Sequence, residues 1–236
     1  MKRLLAAAAL AACLCWPAAA YAAKAEGAMG TDVIRTFLIL TLLAVVPAIL
    51  VSMTSFIRIV VVLSMVRHAF GMPETPPNPV LVSLALFLTA FTMSPTLTAL
   101  NANALKPLLA GTIGVEEAMA KGSEPLRDFM LAQTRDSDIE AIYAIAKTPV
   151  PDKPEQVEIL KLAPAFILNE LRVSFTIGFV ILLPFLLIDL VVSSILLALG
   201  MMMVPPATIS LPIKILMFVL IDGWSLILQG VLGSFR

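Results

Sequence analysis

The amino-acid sequence predicts an all-α membrane protein in which helical hairpins flank a small helical insert outside the membrane. Of its 236 residues, 60% are hydrophobic and only 14% are charged, and the mean hydropathy is +0.99. Soluble domains contain roughly 45–50% apolar and about 25% charged residues. Disordered chains combine low hydrophobicity with high net charge, and this chain has neither. The composition therefore excludes a typical soluble enzyme and indicates a protein that folds in a lipid bilayer.

Residues 1–22 predict a cleaved signal peptide. Two basic residues precede about twelve apolar ones, and Ala20–Ala22 supplies the small-x-small pattern at which such segments are cut. An uncleaved first helix is disfavoured, because a bilayer core requires roughly 20 apolar residues. Lipid attachment at Cys13 is a third interpretation. Cys15 is the other cysteine of the chain, so the mature protein has no thiol for a disulfide, a nucleophile or a metal site.

Four apolar stretches follow, and they predict two helical membrane hairpins, residues 23–100 and 173–236. The stretches are Phe37–Val66, interrupted by Arg58, then Val80–Leu100, Val173–Gly200 and Ile215–Phe235. As a single helix the first stretch would be roughly 45 Å long, against a hydrocarbon core of roughly 30 Å. We therefore expect either one tilted helix kinked at Pro47 or two shorter helices.

Residues 101–172 differ in composition from the rest of the chain and predict a small, water-facing helical insert. They hold eight Lys or Arg and eleven Asp or Glu, which is most of the charge of the protein. Apolar side chains recur there at helical spacing; they are Leu126, Phe129, Met130, Ile139, Ile142, Tyr143 and Ala146. Ser137–Glu140 matches a capping box at a helix start, and the prolines of Thr148–Pro154 predict a loop.

The signal peptide also predicts the orientation, because its removal leaves the new N-terminus outside the membrane. Four crossings then place the insert outside, on the periplasmic side in a Gram-negative bacterium. Two short inner loops remain, Arg67–Pro79 and Met201–Lys214. The basic residues at their ends agree with the positive-inside rule.

Four ionisable residues lie in or beside the apolar stretches: Arg58, Asp189, Lys214 and Asp222. A charge at the centre of a membrane helix costs about 2.5–3.5 kcal/mol on insertion scales, so such residues usually pair or line a wet pathway. One interpretation is a polar seam along a conduit or a proton relay. The other is a set of ion pairs that fix helix register, for example Arg58 with Asp189.

The most unusual local sequence is Gly200–Pro206, a methionine-rich loop with three consecutive methionines, Met201, Met202 and Met203. Leu-Gly suits a helix end, and the two prolines prevent the helix from continuing. Methionine is flexible and polarizable, so it packs around objects of different shape. In a ring of subunits the loop would close a pore yet yield to a passing chain. Packing under its own bundle, or against lipid, is an equally good interpretation of the residues alone.

No motif in the sequence predicts an enzyme, a cofactor or a metal. HExxH, GxSxG, GxGxxG and GxxxxGK[ST] are all absent, and the chain holds one histidine, His68. Adjacent carboxylates occur at Glu116-Glu117, where a solvated helix face is the simpler interpretation. The zero net charge predicts no nucleic-acid partner.

Several longer strings of the sequence resemble the FliP family of flagellar biosynthetic export proteins. Met53–Ser64 is similar to the first-helix pattern of the family. Further strings follow in the family's order: Thr75–Asn78, Leu84–Thr89, Met93–Pro95, Pro164–Phe166, Glu170–Leu171, Ile177–Phe179, Pro184–Leu186, Ile188–Leu190, Ala198–Pro212 and Asp222–Trp224. The resemblance covers residues 31–236. The chain departs from it at Asn169, Ser174 and Thr176, which affects local packing.

The resemblance implies a non-enzymatic core subunit of the type III export gate, in the bacterial inner membrane at the flagellar basal body. It implies several copies, a pentamer, that form a ring or helical pore with FliQ-type and FliR-type proteins and other membrane proteins of the export apparatus. Unfolded protein cargo would pass through this pore. Met201–Met203 match the family's methionine-rich loop, which closes the channel as a gasket. Parts of such a complex are lifted out of the bilayer, so its helices need not be four simple spanning rods.

Two alternatives to a flagellar export gate remain from the sequence. The first is the injectisome counterpart that exports virulence effectors, although a signal peptide favours the flagellar member. The second is a transporter that couples a small molecule to protons or cations through Asp189 and Asp222. Internal inverted repeats are typical of such transporters, and we find none in the sequence.

Overall fold

The fold is all-α among the residues that the computed structural model describes, as predicted. These residues are 51–71, 74–151 and 153–235, with Phe37, Leu40, Thr41, Ala44 and 47–49. The predicted signal peptide lies outside them, as do seven residues of the first apolar stretch, all before Val51. Residues from Ile49 onward belong to one compact unit, and all that follows concerns that unit.

The helices of this unit occupy most of the described sequence. They are α1 (Phe56–Ala69), α2 (Asn78–Thr92), α3 (Ser94–Leu100), α4 (Lys106–Leu109), α5 (Val115–Gln133), α6 (Asp136–Ile145), α7 (Ile159–Ala198), α8 (Pro206–Leu220) and α9 (Gly223–Leu232). A π-helical turn, Asn101–Leu105, joins α3 to α4, and a 3-10 turn, Pro154–Gln156, precedes α7.

Helix α1 begins after a break in the first apolar stretch. Residues 51–52 are helical, Met53–Ser55 are not, and α1 starts at Phe56. Hydroxyl groups form hydrogen bonds at this break. The Phe56 amide donates to Thr54 Oγ1 at 3.3 Å. Ser55 Oγ shares a 2.8 Å hydrogen bond with Thr92 Oγ1 of α2. A helix can be interrupted at membrane depth only where such partners exist. The interpretation as shorter helices therefore fits these residues, with a break at Met53–Ser55.

Helix α7 is the longest element, with 40 residues and a length of about 60 Å. Among the described helices it is long and apolar enough by itself to cross a membrane. Its first turns pack against α6 of the insert, and its middle packs against α1. The predicted domain boundary at residue 172 therefore lies inside one continuous helix.

Two further apolar stretches are bent rather than straight. Helices α2 and α3–α4 meet at 66°, and α8 and α9 meet at 67°. By length and composition, the described residues contain one helix that could cross a membrane, or up to three such segments if each bent pair is one span. The first bend precedes Pro95, whose missing N–H prevents a regular continuation of α2. The second lies at Asp222, which has a left-handed backbone. The prediction of four crossings stays a prediction.

Two apolar cores lie along α7. One joins α1, α2, α7, α8 and α9 around Ile59, Val62 and Phe185. The other joins the insert to the start of α7, around Met130, Tyr143 and Phe166. The helical spacing predicted for the insert is thus confirmed in α5 and α6. The capping box is wrong by two residues, because Arg135 is the N-cap of α6 and no side chain caps this helix.

Candidate functional site

The largest fully buried side chain of the described residues is a charged one, Arg58, in the first turn of α1. Its guanidinium forms a two-pronged ion pair with Glu170 of α7: Nε donates to Oε2 at 2.8 Å, and Nη2 donates to Oε1. Arg58 is 1% exposed and Glu170 is 0% exposed. The planar guanidinium matches a carboxylate in this geometry, which fixes α1 against α7 in both position and rotation.

The remaining donors of Arg58 reach two other segments. Nη1 donates to the carbonyl oxygen and to Oγ of Ser234, each at 2.9 Å, and the Phe235 ring centroid lies 3.9 Å from the guanidinium carbon. Nη2 also faces Gln133 Oε1, at 3.4 Å, at the end of α5. Four separate parts of the chain therefore meet at one buried cation. We call Arg58, Glu170, Gln133, Ser234 and Phe235 the arginine junction.

Two further contacts bind the insert to α7 beside the junction. Asn169 Nδ2 donates to the Gln133 carbonyl oxygen at 2.6 Å. Two residues after Glu170, Arg172 forms a two-pronged ion pair with Asp138 of α6, with distances of 2.8 and 2.9 Å. The insert is thus attached to the membrane helix by polar contacts as well as by its own apolar core.

A second ion pair lies near the other end of α7. Lys214 of α8 donates from Nζ to Asp189 Oδ2 at 2.6 Å and to the Ala69 carbonyl oxygen at 3.1 Å, at the end of α1. The Lys214 side chain is buried, whereas that of Asp189 is 41% exposed. The predicted inner loop Met201–Lys214 is mostly helix, because α8 begins at Pro206. Lys214 therefore joins α7, α8 and α1.

The structure brings three of the four predicted ionisable residues into ion pairs, with different partners from those expected. The suggested pairing of Arg58 with Asp189 is wrong, since Arg58 pairs with Glu170 and Asp189 with Lys214. Glu170 was not expected as a partner, because it lies at the end of the predicted water-facing insert, residues 101–172. Glu170 is the single acidic residue between Phe166 and the apolar run after Arg172, and this isolation could have indicated a buried ion pair.

Asp222, the fourth of these residues, forms no ion pair within residues 51–71, 74–151 and 153–235. It is the N-cap of α9 with φ 50° and ψ 55°, a left-handed conformation. Its neighbour Gly223 lies against Phe218, and a Cβ built at Gly223 would overlap that ring. Asp222 and Gly223 therefore form the bend between α8 and α9.

The methionine-rich loop is held between two well-defined helix ends. Gly200, with φ 72°, follows the end of α7. The Gly200 amide donates to the carbonyl oxygen of Leu197, and the Met201 amide donates to that of Leu196. These are the two hydrogen bonds of a Schellman motif. Pro205 and Pro206 then begin α8. Between these ends, Met201, Met202 and Met203 are 43%, 79% and 97% exposed. They therefore do not pack under their own bundle in the single chain.

The described residues contain no group of three or more His, Cys, Asp or Glu side chains that would hold a metal ion. What they offer is a helical frame, joined by ion pairs near both ends of α7, that presents an exposed methionine-rich loop. The candidate functional site is therefore this loop, and Arg58 and Lys214 belong to the frame.

Comparison with known proteins finds similarity along most of the chain. A model of the FliP family matches residues 39–231. The flagellar biosynthetic protein FliP of Pectobacterium carotovorum is 50% identical over 202 residues, covering 86% of this chain and 78% of that protein. The Bacillus subtilis protein of the same name is 46% identical over 205 residues, covering 87% and 93%. The Caulobacter vibrioides protein is 44% identical over 232 residues, covering 95% and 87%.

Proposed function

The chain belongs to the FliP family and is a subunit of the flagellar protein export apparatus, and we propose from this that it lines the channel of that apparatus. Met201–Met203 would close the channel between passages of unfolded cargo. The observation that carries the proposal is the high exposure of these three methionines on a loop anchored at both ends.

The physical argument for a gasket starts from the side chain. Three adjacent exposed methionines cost free energy in water, because their apolar surface is unburied. In a ring of several copies the loops would bury that surface against each other and exclude water from the lumen. Methionine has three rotatable side-chain bonds, so the packed loops would rearrange around an extended polypeptide of any sequence.

The exposed apolar faces of the membrane helices support assembly with other chains and with lipid. In α7 these include Phe175, Phe179, Leu187 and Leu190, each more than half exposed. Further copies of this chain, FliQ-type and FliR-type proteins and lipid are the occupants we propose. The inner-membrane location follows from the family and from α7. We propose the periplasmic side for residues 101–172 on the signal-peptide argument.

The test replaces Met201, Met202 and Met203 together by Ala. We expect the export complex to assemble but to conduct ions or small solutes at rest, because the shortened side chains no longer fill the lumen. The measurement is resting ion conductance, with assembly checked by native mass. Met119→Ala is the matched control, since Met119 is also 66% exposed but lies on α5. Unchanged conductance in a fully assembled triple variant would contradict the gasket.

A further inference from the structure

The segment that follows α9 occupies one edge and one face of the Arg58 guanidinium. Ser234 accepts two hydrogen bonds from Nη1, and the Phe235 ring stacks on the planar group. Glu170 occupies the opposite edge. A guanidinium has five donors in a fixed plane, and a buried one requires partners for them. Ser234 and Phe235 thus complete a binding site that α1 and α7 leave partly open.

We propose that Ser234 and Phe235 act as a latch, which by binding Arg58 holds the bent pair α8–α9 against α1. The arginine junction is at one end of α1, and the carbonyl oxygen that accepts from Lys214 is at the other. These two anchors are roughly 16 Å apart along α1. Between them α8–α9 contributes Phe218, Ile227 and Val231 to the shared apolar core. Apolar burial is non-directional, so the polar anchors decide the register of the pair.

The latch is the part of the arginine junction that can open. Arg58 and Glu170 are fully buried, whereas Ser234 and Phe235 are only partly buried. When the latch lifts, the ion pair with Glu170 remains and Nη1 takes water as its partner. The α1–α7 contact therefore survives in the open state, and the change is confined to α9 and the residues after it.

The test measures how fast single cysteines react with a maleimide in the full chain purified in detergent, with Cys13 and Cys15 replaced by Ser. The probes are Ser234→Cys in the latch, Val231→Cys on the buried side of α9 and Ser123→Cys on α5. Each probe is combined with Phe235→Leu or with Phe235→Trp. Leu keeps the apolar contact but loses the attraction between ring and cation, and Trp keeps both.

The latch predicts that Phe235→Leu raises the labelling rates at positions 234 and 231 by roughly three- to thirty-fold relative to Phe235→Trp. The rate at position 123 stays the same. Equal rates in the Leu and Trp chains overturn the proposal. A higher labelling rate at position 234 alone would mean that the end of the chain frays without affecting α9. Higher rates at all three positions would mean that the whole protein is loosened. Each of these results also overturns the proposal.

Discussion

At the residue scale, the buried pair of Arg58 and Glu170 contributes more to geometry than to net stability. Removing two charges from water is expensive, and their mutual attraction offsets that cost only when the remaining donors are also satisfied. Here Ser234 and Gln133 satisfy them. The pair sets the rotation of α1 against α7, which apolar side chains alone specify poorly.

We expect Glu170→Gln to lower the free energy of unfolding by about 3–5 kcal/mol, because it leaves the Arg58 guanidinium buried without a counter-charge. The measurement is unfolding of the detergent-solubilised chain by denaturant. Glu140→Gln is the control, since Glu140 is exposed on α6. Arg58→Met combined with Glu170→Leu should recover much of the loss. If the double variant is as unstable as Glu170→Gln, the uncompensated charge is not the cause.

At the scale of the elements, helix α7 determines where the others pack. Gly178 lies so close to α1 that a Cβ there would overlap the side chain of Met65. The flexible end of that side chain, Sδ and Cε, is the part that would overlap, and the Met65 Cβ would lie 3.1 Å away. The contact between α1 and α7 therefore includes a close fit of the Met65 side chain against position 178.

Gly178→Ala should destabilise the chain by about 0.5–1.5 kcal/mol, because the methyl group forces the Met65 side chain out of its rotamer. Adding Met65→Ala should restore most of that loss by removing the overlapping side chain. Gly230→Ala provides the comparison, since nothing lies within 4 Å of a Cβ at that position of α9. The measurement is thermal unfolding of the unsubstituted chain and the three variants. A Gly178→Ala chain as stable as Gly230→Ala would refute the close packing of Met65 against position 178.

Substitutions at Asp222 distinguish two roles for this residue. Its left-handed backbone forms the bend between α8 and α9, whereas the transporter interpretation requires its carboxyl group to bind a proton or cation. Asp222→Gly should leave stability unchanged or raise it by up to about 1 kcal/mol, since glycine adopts the left-handed backbone without strain. Swimming in soft agar should persist in this variant. Asp222→Val should be destabilised, because a β-branched residue is strained at φ 50°. A stable Asp222→Gly protein that abolishes swimming would mean that the carboxylate itself is required, and would contradict a role confined to the backbone.

At the scale of the whole molecule, the single chain leaves a large apolar surface uncovered. Only 17% of the most apolar 18-residue segment of α7 is buried within the chain. We expect lipid to cover part of such a surface and other subunits to cover the rest. The exposed methionine-rich loop has the same requirement, because it has no core of its own to enter.

We therefore expect the detergent-extracted protein, coexpressed with FliQ-type and FliR-type partners, to have the native mass of a complex with several copies of this chain. Burial of the exposed apolar helix faces is the physical reason. Native mass spectrometry of samples with and without the partners tests it. A stable monomer in both samples would count against the channel.

The sequence by itself determined the helical class, the charged composition of residues 101–172, the family and the loop that holds Met201–Met203. Composition, helical spacing and helix-stopping prolines are local properties, and local properties can be predicted from neighbouring residues. Tertiary structure decided that Arg58 pairs with Glu170, that Asp189 pairs with Lys214, and that α2 and α8 end in bends. A charged residue in an apolar stretch requires some partner. Which residue becomes that partner depends on how helices that are distant in the sequence cross and pack against each other. Crossing is set by side-chain contacts such as that of Gly178 with Met65, which no local pattern contains.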